Sequence, residues 1–233
     1  MMKKTNDQKR GRRHGVSLYH GHEPSDSELK MRDYASMKAD LIIVDESNSF
    51  SENGRSDRKY LTVVCSRTTD YGRFADIADT IPSVRGKRKK HSSMSVPEIE
   101  KVVSEIEKYT ETDFVITEEH RYIDYSALRD AKEKQLFYMG VLRKAIEKSV
   151  ELGPDRAMIV ILDNPPLDIT EQLQSFGTEL SRYCNIVWFE TRLSSGTRVL
   201  QTQDIITGIV ANHVESKVER NGLYDRLARY MKK

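Results

Sequence analysis

Leu41-Ile42-Ile43-Val44-Asp45-Glu46-Ser47 decides how the rest of this chain is read. Four apolar residues in a row, three of them β-branched, predict a strand buried on both faces. Asp45 then stands where that strand leaves its sheet. A carboxylate in that position costs free energy unless something compensates it, and a metal ion is a common partner. The remaining segments are read as candidates to surround Asp45.

Outward from this strand, Asn48 to Lys59 is rich in Ser, Asn, Gly and Asp and suits a long hairpin connection to a second strand at 60–66. Residues 73–81 fit a short helix stopped by Pro82. The basic run that follows, 85–91, reads as a third, edge strand protected by its charges. Ser95 and Glu98 predict a capping box, ahead of apolar Val96, Ile99, Val102, Val103 and Ile106 at helical spacing. A strand at 113–117 is followed by Glu118, Glu119 and His120, and then by a long helix from Ser126 to Glu151. Leu128, Ala131, Tyr138, Val141, Leu142, Ala145 and Ile146 line its inner face, and Gly153-Pro154 end it. Ala157 to Leu162 is a second all-apolar strand, ending in Asp163-Asn164-Pro165-Pro166. A helix opened by Asp168 and Glu171, a strand at 186–190, a Ser/Gly loop at 194–196 and an apolar helix at about 198–216 complete the order. Hairpin strands followed by alternating helices and strands predict an α/β fold: a mixed sheet with helices on both faces.

Composition narrows the function classes. The 233 residues are 37% hydrophobic and 32% charged, enough for one domain with tails or for two small ones. Net charge is only +2, but it is unevenly placed. Lys3, Lys4, Lys9, Arg10, Arg12 and Arg13 face Asp7 alone, and Arg85, Lys87, Arg88, Lys89 and Lys90 have no acid among them. Such blocks attract polyanions, although either one also reads as a solvated surface. Residues 1–38 are polar and aperiodic and are expected to be a disordered basic tail, with 39–216 as the domain and 217–233 as a basic helix or tail. His20 and His22, with His14 nearby, lack a further ligand at zinc spacing. Cys65 and Cys184 are too far apart and too few for a disulfide framework, which points to a reduced, cytoplasmic protein. No apolar run approaches the ~18 residues of a membrane span, and the basic N-terminus lacks the apolar core of a secretory signal.

Three acids sit where acids are locally unexpected. Asp45 and Asp163 each end an apolar strand, where functional groups of open α/β sheets collect. Asp204 lies inside the last helix, sharing a face with Gln201 and Gly208, and Gly208 would let that face approach the sheet. Asp45 and Asp163 also suit turns, and Asp204 an exposed helix face. Converging carboxylates repel by several kcal/mol at ~4 Å, and Mg2+ or Mn2+ relieves that repulsion through oxygen ligands. Two such ions about 3.5–4 Å apart suit phosphodiester hydrolysis.

These motifs carry a resemblance. The chain resembles an uncharacterised RNase H-like family that opens with an apolar strand ending Asp-Glu-Ser-Gly, has a later strand ending in Asp, and closes with Leu-Gln-x-Ala-Asp on a helix. Here the matching residues are Asp45-Glu46-Ser47-Asn48, Val160 to Asp163, and Leu200-Gln201-Thr202-Gln203-Asp204, with Ser194 or Ser195 fitting a serine before the last helix. The resemblance covers about residues 40–215. It implies an RNase H-like fold and a nuclease centre in which Asp45, Asp163 and Asp204 bind Mg2+ or Mn2+, with Glu46, Ser47 and Gln201 in support. Asn48 replaces Gly and Gln203 replaces Ala. The family's acid on the third strand is absent, and Glu118 is the candidate to replace it, unless it is simply an exposed strand end. Nucleic acid is the expected partner, DNA or RNA undetermined. Arg85, Lys87, Arg88, Lys89 and Lys90 would contact phosphates. The alternatives are a non-catalytic nucleic-acid-binding protein on a degenerate scaffold of this kind, and an interaction module whose acids are turn and surface residues.

Overall fold

The computed structural model describes residues 17–18, 39–47, 58–216 and 221–232. The His14/His20/His22 group, the N-terminal basic block and Asn48 lie outside the described residues. In chain order the elements are β1 (Ser17–Leu18), β2 (Asp40–Ser47), β3 (Tyr60–Thr68), α1 (Tyr71–Ile77), β4 (Ser83–Val84), β5 (Lys87–Arg88), α2 (Val96–Ile106), β6 (Phe114–Tyr122), α3 (Ala131–Glu151), β7 (Met158–Asp163), α4 (Thr170–Leu180), β8 (Ile186–Arg192), α5 (Arg198–Val214) and α6 (Asn221–Leu227).

The main sheet has the order β1-β8-β7-β2-β3-β6. β2 is parallel to β7 and β7 to β8, while β2–β3 and β3–β6 are antiparallel. This is the expected mixed sheet. Leu41 and Ile43 of β2 enter one core with α1, α2, α5 and α6, and Ile42 and Val44 enter a second core with α3 and α4. Alternate residues therefore serve opposite faces, as period-2 geometry requires. That is why β2 and β7 are apolar throughout: no residue in their centres faces water.

Local signals hold in several places. Ser95 N donates to Glu98 Oε2 at 2.8 Å, within the expected capping box at the start of α2. Other expectations need correction. The long helix begins at Ala131, capped by Asp130 and Glu133, rather than at Ser126. Asp124 accepts from the Ser126 N–H and hydroxyl and holds the preceding residues in a turn. The basic run is no edge strand of the main sheet: β4 and β5 pair only with each other, and the sheet edge is β6, which runs on to Tyr122. Ser17–Leu18, inside the expected tail, pairs with Phe189 and Glu190 of β8. At the other end, where a basic helix or tail is expected, α6 buries Leu223 and Leu227, Tyr230 is buried and Met231 bridges Ile116.

The N-terminal end of β2 carries a buried ion pair. Arg67 of β3 bonds Asp40 through Nε and Nη2, and its guanidinium also donates to the carbonyls of Ser149 and Gly153. Arg156 adds a second contact to Asp40 at 2.8 Å. Each nitrogen of the Arg67 guanidinium thus has an oxygen partner, which a buried guanidinium needs.

Candidate active site

The opposite, C-terminal end of β2 is built differently. Period 2 sends Asp45 to the α5 face and Glu46 to the α3 face. Asp45 is buried, and the Thr207 hydroxyl of α5 hydrogen-bonds to it. Glu46 Oε2 accepts from the Tyr138 hydroxyl of α3 at 3.1 Å. Asp163 ends β7, the parallel neighbour of β2, and its Oδ1 accepts from Asn164 N at 2.8 Å and Ser194 N at 3.0 Å. Asp204 lies on the α5 turn before Thr207, and its Oδ2 accepts from His91 N at 2.8 Å.

The electrostatics tie these acids into one group. Burial pushes the Asp45 carboxyl well above the ordinary range, and the charges of Glu46, Asp204 and Asp163 push it further, against the Thr207 hydrogen bond. Glu46 is raised to about 8, first by burial and then by Asp163, while Tyr138, its own backbone and Lys90 oppose the shift. Asp204 is raised by burial and by Asp163, against the His91 N–H and Lys90. Tyr138 is held well above its usual range by burial and by Glu46, Asp45 and Asp163. The charge of Asp163 thus acts on Asp45, Glu46 and Asp204 alike, each of them also raised by burial. Oxygen-only donors in mutual repulsion fit a hard divalent cation by their chemistry. Among the described residues, however, no group of three His, Cys, Asp or Glu side chains is set so as to hold a metal ion. Asp163 and Asp204 each turn one oxygen toward backbone N–H groups instead.

Glu118 stands apart. It is opposite Val64 on β3, which is opposite Asp45 on β2, so two strand spacings of about 5 Å each separate Glu118 from Asp45. Its carboxyl is raised by burial and opposed by His120, His213 and Lys148, with none of the three aspartates among the causes. Gln201 Nε2 donates to Ser195 O at 3.3 Å, bracing the loop before α5. Ser47 is half-buried opposite Thr62. Gln203 is buried, and its Nε2 donates to Val64 O at 3.1 Å and toward Thr207 Oγ1 at 3.4 Å, steadying the hydroxyl that holds Asp45.

The basic run divides. Arg88 pairs with Asp79 at 2.6 Å and Lys89 with Glu98 at 2.7 Å, while Arg85, Lys87 and Lys90 are exposed. Lys90 also sends its charge inward to Glu46 and Asp204. Sequence reasoning overlooked His91, a buried residue whose ring covers Gly208: a Cβ there would stand inside the imidazole. Gly208 thus makes room for His91 and not, as expected, for the sheet. The tyrosine supporting Glu46 was read only as core.

No protein-family model matches the chain, and no curated protein matches it. Among solved structures, a chain of the PCNA:RNase HII complex from Archaeoglobus fulgidus overlaps with a TM-score of 0.40 at 16% identity, covering 80% of this chain and 75% of that one. An overlap this loose speaks to neither activity nor ligand. The α/β class stands on the strand order and pairing themselves, with a mixed sheet covered by helices on both faces.

Proposed function

We propose that this protein is a divalent-metal-dependent nuclease, with Asp45, Asp163 and Asp204 as the ligands of Mg2+ or Mn2+. The observation that carries this reading is the electrostatic coupling of Asp45, Glu46, Asp163 and Asp204 at the carboxyl ends of two parallel central strands. When bound, the metal would activate a water and stabilise charge on the phosphodiester. Asp45 would anchor it from a strand paired on both sides. Asp163 and Asp204 would complete the site with the oxygens not held by Ser194 N and His91 N. Tyr138 orients Glu46 beside them. Arg85 and Lys87 would contact phosphates by charge alone, which predicts salt-sensitive affinity with little sequence preference.

A second reading is favoured by the lack of a gathered ligand set among the described residues: a nucleic-acid-binding protein that does not cleave. The two are separated by melting the protein with and without Mn2+ and incubating it with DNA and RNA, single- and double-stranded. Mn2+ stabilisation and cleavage, both lost in Asp45→Ala, are expected. Nucleic-acid retention with no Mn2+ effect and no cleavage would leave the binding protein.

A further inference from the structure

The segment 83–93 joins the exposed cations to the half-buried Asp204. Ser83 and Val84 pair with Arg88 and Lys87 across a two-residue turn, and both turn residues have positive φ, 52° at Arg85 and 76° at Gly86. That conformation matches the twist of a tight hairpin and is costly for a non-glycine residue. The hairpin is fastened at three places. Arg88 pairs with Asp79, which also pairs with Arg198 at the start of α5. Lys89 reaches Glu98 at the start of α2. Below them the His91 ring sits in the notch left by Gly208, and the His91 backbone N–H holds Asp204.

We propose that residues 83–93 form a braced arm that grips a nucleic-acid backbone with Arg85 and Lys87 at its tip and holds Asp204 with His91 at its foot. This rests on the nuclease reading and adds a coupling to it. His91 is a positioning residue, acting through Asp204. A tip loaded with phosphate settles the foot, and a settled foot keeps Asp204 facing Asp45. By linkage, nucleic acid must then tighten cation binding, and the cation must tighten nucleic-acid binding by the same factor.

The test measures Mn2+-induced thermal stabilisation and binding of a short DNA duplex at several salt concentrations. Arg85→Ala/Lys87→Ala is expected to lower the salt slope of duplex binding by about 2, one unit per lost phosphate contact, while leaving the Mn2+ shift of the protein alone unchanged. Gly208→Ala is expected to expel the imidazole, reduce the Mn2+ shift and abolish the enhancement of Mn2+ binding by duplex. Adding His91→Ala to Gly208→Ala frees the space and is expected to restore much of the shift. Should Gly208→Ala not fold, Arg88→Ala/Lys89→Ala cuts the surface braces and is expected to weaken the enhancement alone. An unchanged salt slope, or an enhancement that survives both Gly208→Ala and the brace variant, overturns the arm while leaving the nuclease reading intact. A wild-type protein without any Mn2+ shift ends both.

Discussion

β2 carries a buried acid near each end, and the two meet opposite surroundings. At its start, Asp40 meets Arg67 and Arg156. At its finish, Asp45 meets Glu46, Asp163 and Asp204, with Lys90 as a cation acting from the rim on two of them. The first arrangement is complete as it stands. The second stores repulsion that protons or a dication can relieve. One strand thus shows how a fold spends a buried charge on structure and how it holds one in readiness for a ligand.

Breaking the complete end should have the largest effect. Arg67→Met leaves Asp40 buried beside a lost partner, and urea unfolding is expected to show a loss of about 3–5 kcal/mol. Asp45→Asn, at the other end, removes a repelling charge, and without metal it is expected to be neutral or stabilising at pH 8. Equal losses at both ends would erase the distinction.

The next effect is on pH dependence. Glu46 moves from 4.5 to about 8 on folding, so between those values the folded state holds a proton that the unfolded state has released. Stability from this group is full below about pH 4.5 and is lost as pH rises toward 8, at up to about 1.4 kcal/mol per pH unit. The raised Asp45 and Asp204 act in the same direction. Glu46→Gln keeps an acceptor for Tyr138 and is expected to flatten the melting temperature between pH 5 and 8, read by calorimetry. A slope identical to wild type would remove Glu46 from the cluster.

Mn2+ should reverse that trend, because ligands bind it deprotonated. At a hundredfold excess over its dissociation constant the expected gain is about 2.7 kcal/mol, increasing with pH, absent in Asp45→Ala and retained in Asp40→Asn. The smallest effect is a surface reference. Arg226 pairs with Glu107 through Nε at 2.9 Å, but both side chains are partly solvated, and Arg226→Ala is expected to cost less than about 1 kcal/mol.

Much of this was legible from residue order. Four apolar residues before Asp45 and six before Asp163 mark central strands, because only strands buried on both faces tolerate such runs. Ser95 and Glu98 mark a helix start through a bond between near neighbours. The site was less legible. Glu118 follows an apolar strand as Asp45 does, yet strand order sets it two strands away. The basic run pairs only with Ser83 and Val84 just before it, across a tight turn, and not with the main sheet.

The sequence by itself determined which strands are central, where the acids fall along them and where helices begin, because these follow from periodicity and short-range hydrogen bonds. Tertiary structure alone decided which acids act on one another, that Tyr138 supports Glu46 and that His91 rests on Gly208. Those contacts join residues far apart in the chain, and burial and Coulomb repulsion depend on distance in space, not on separation in sequence.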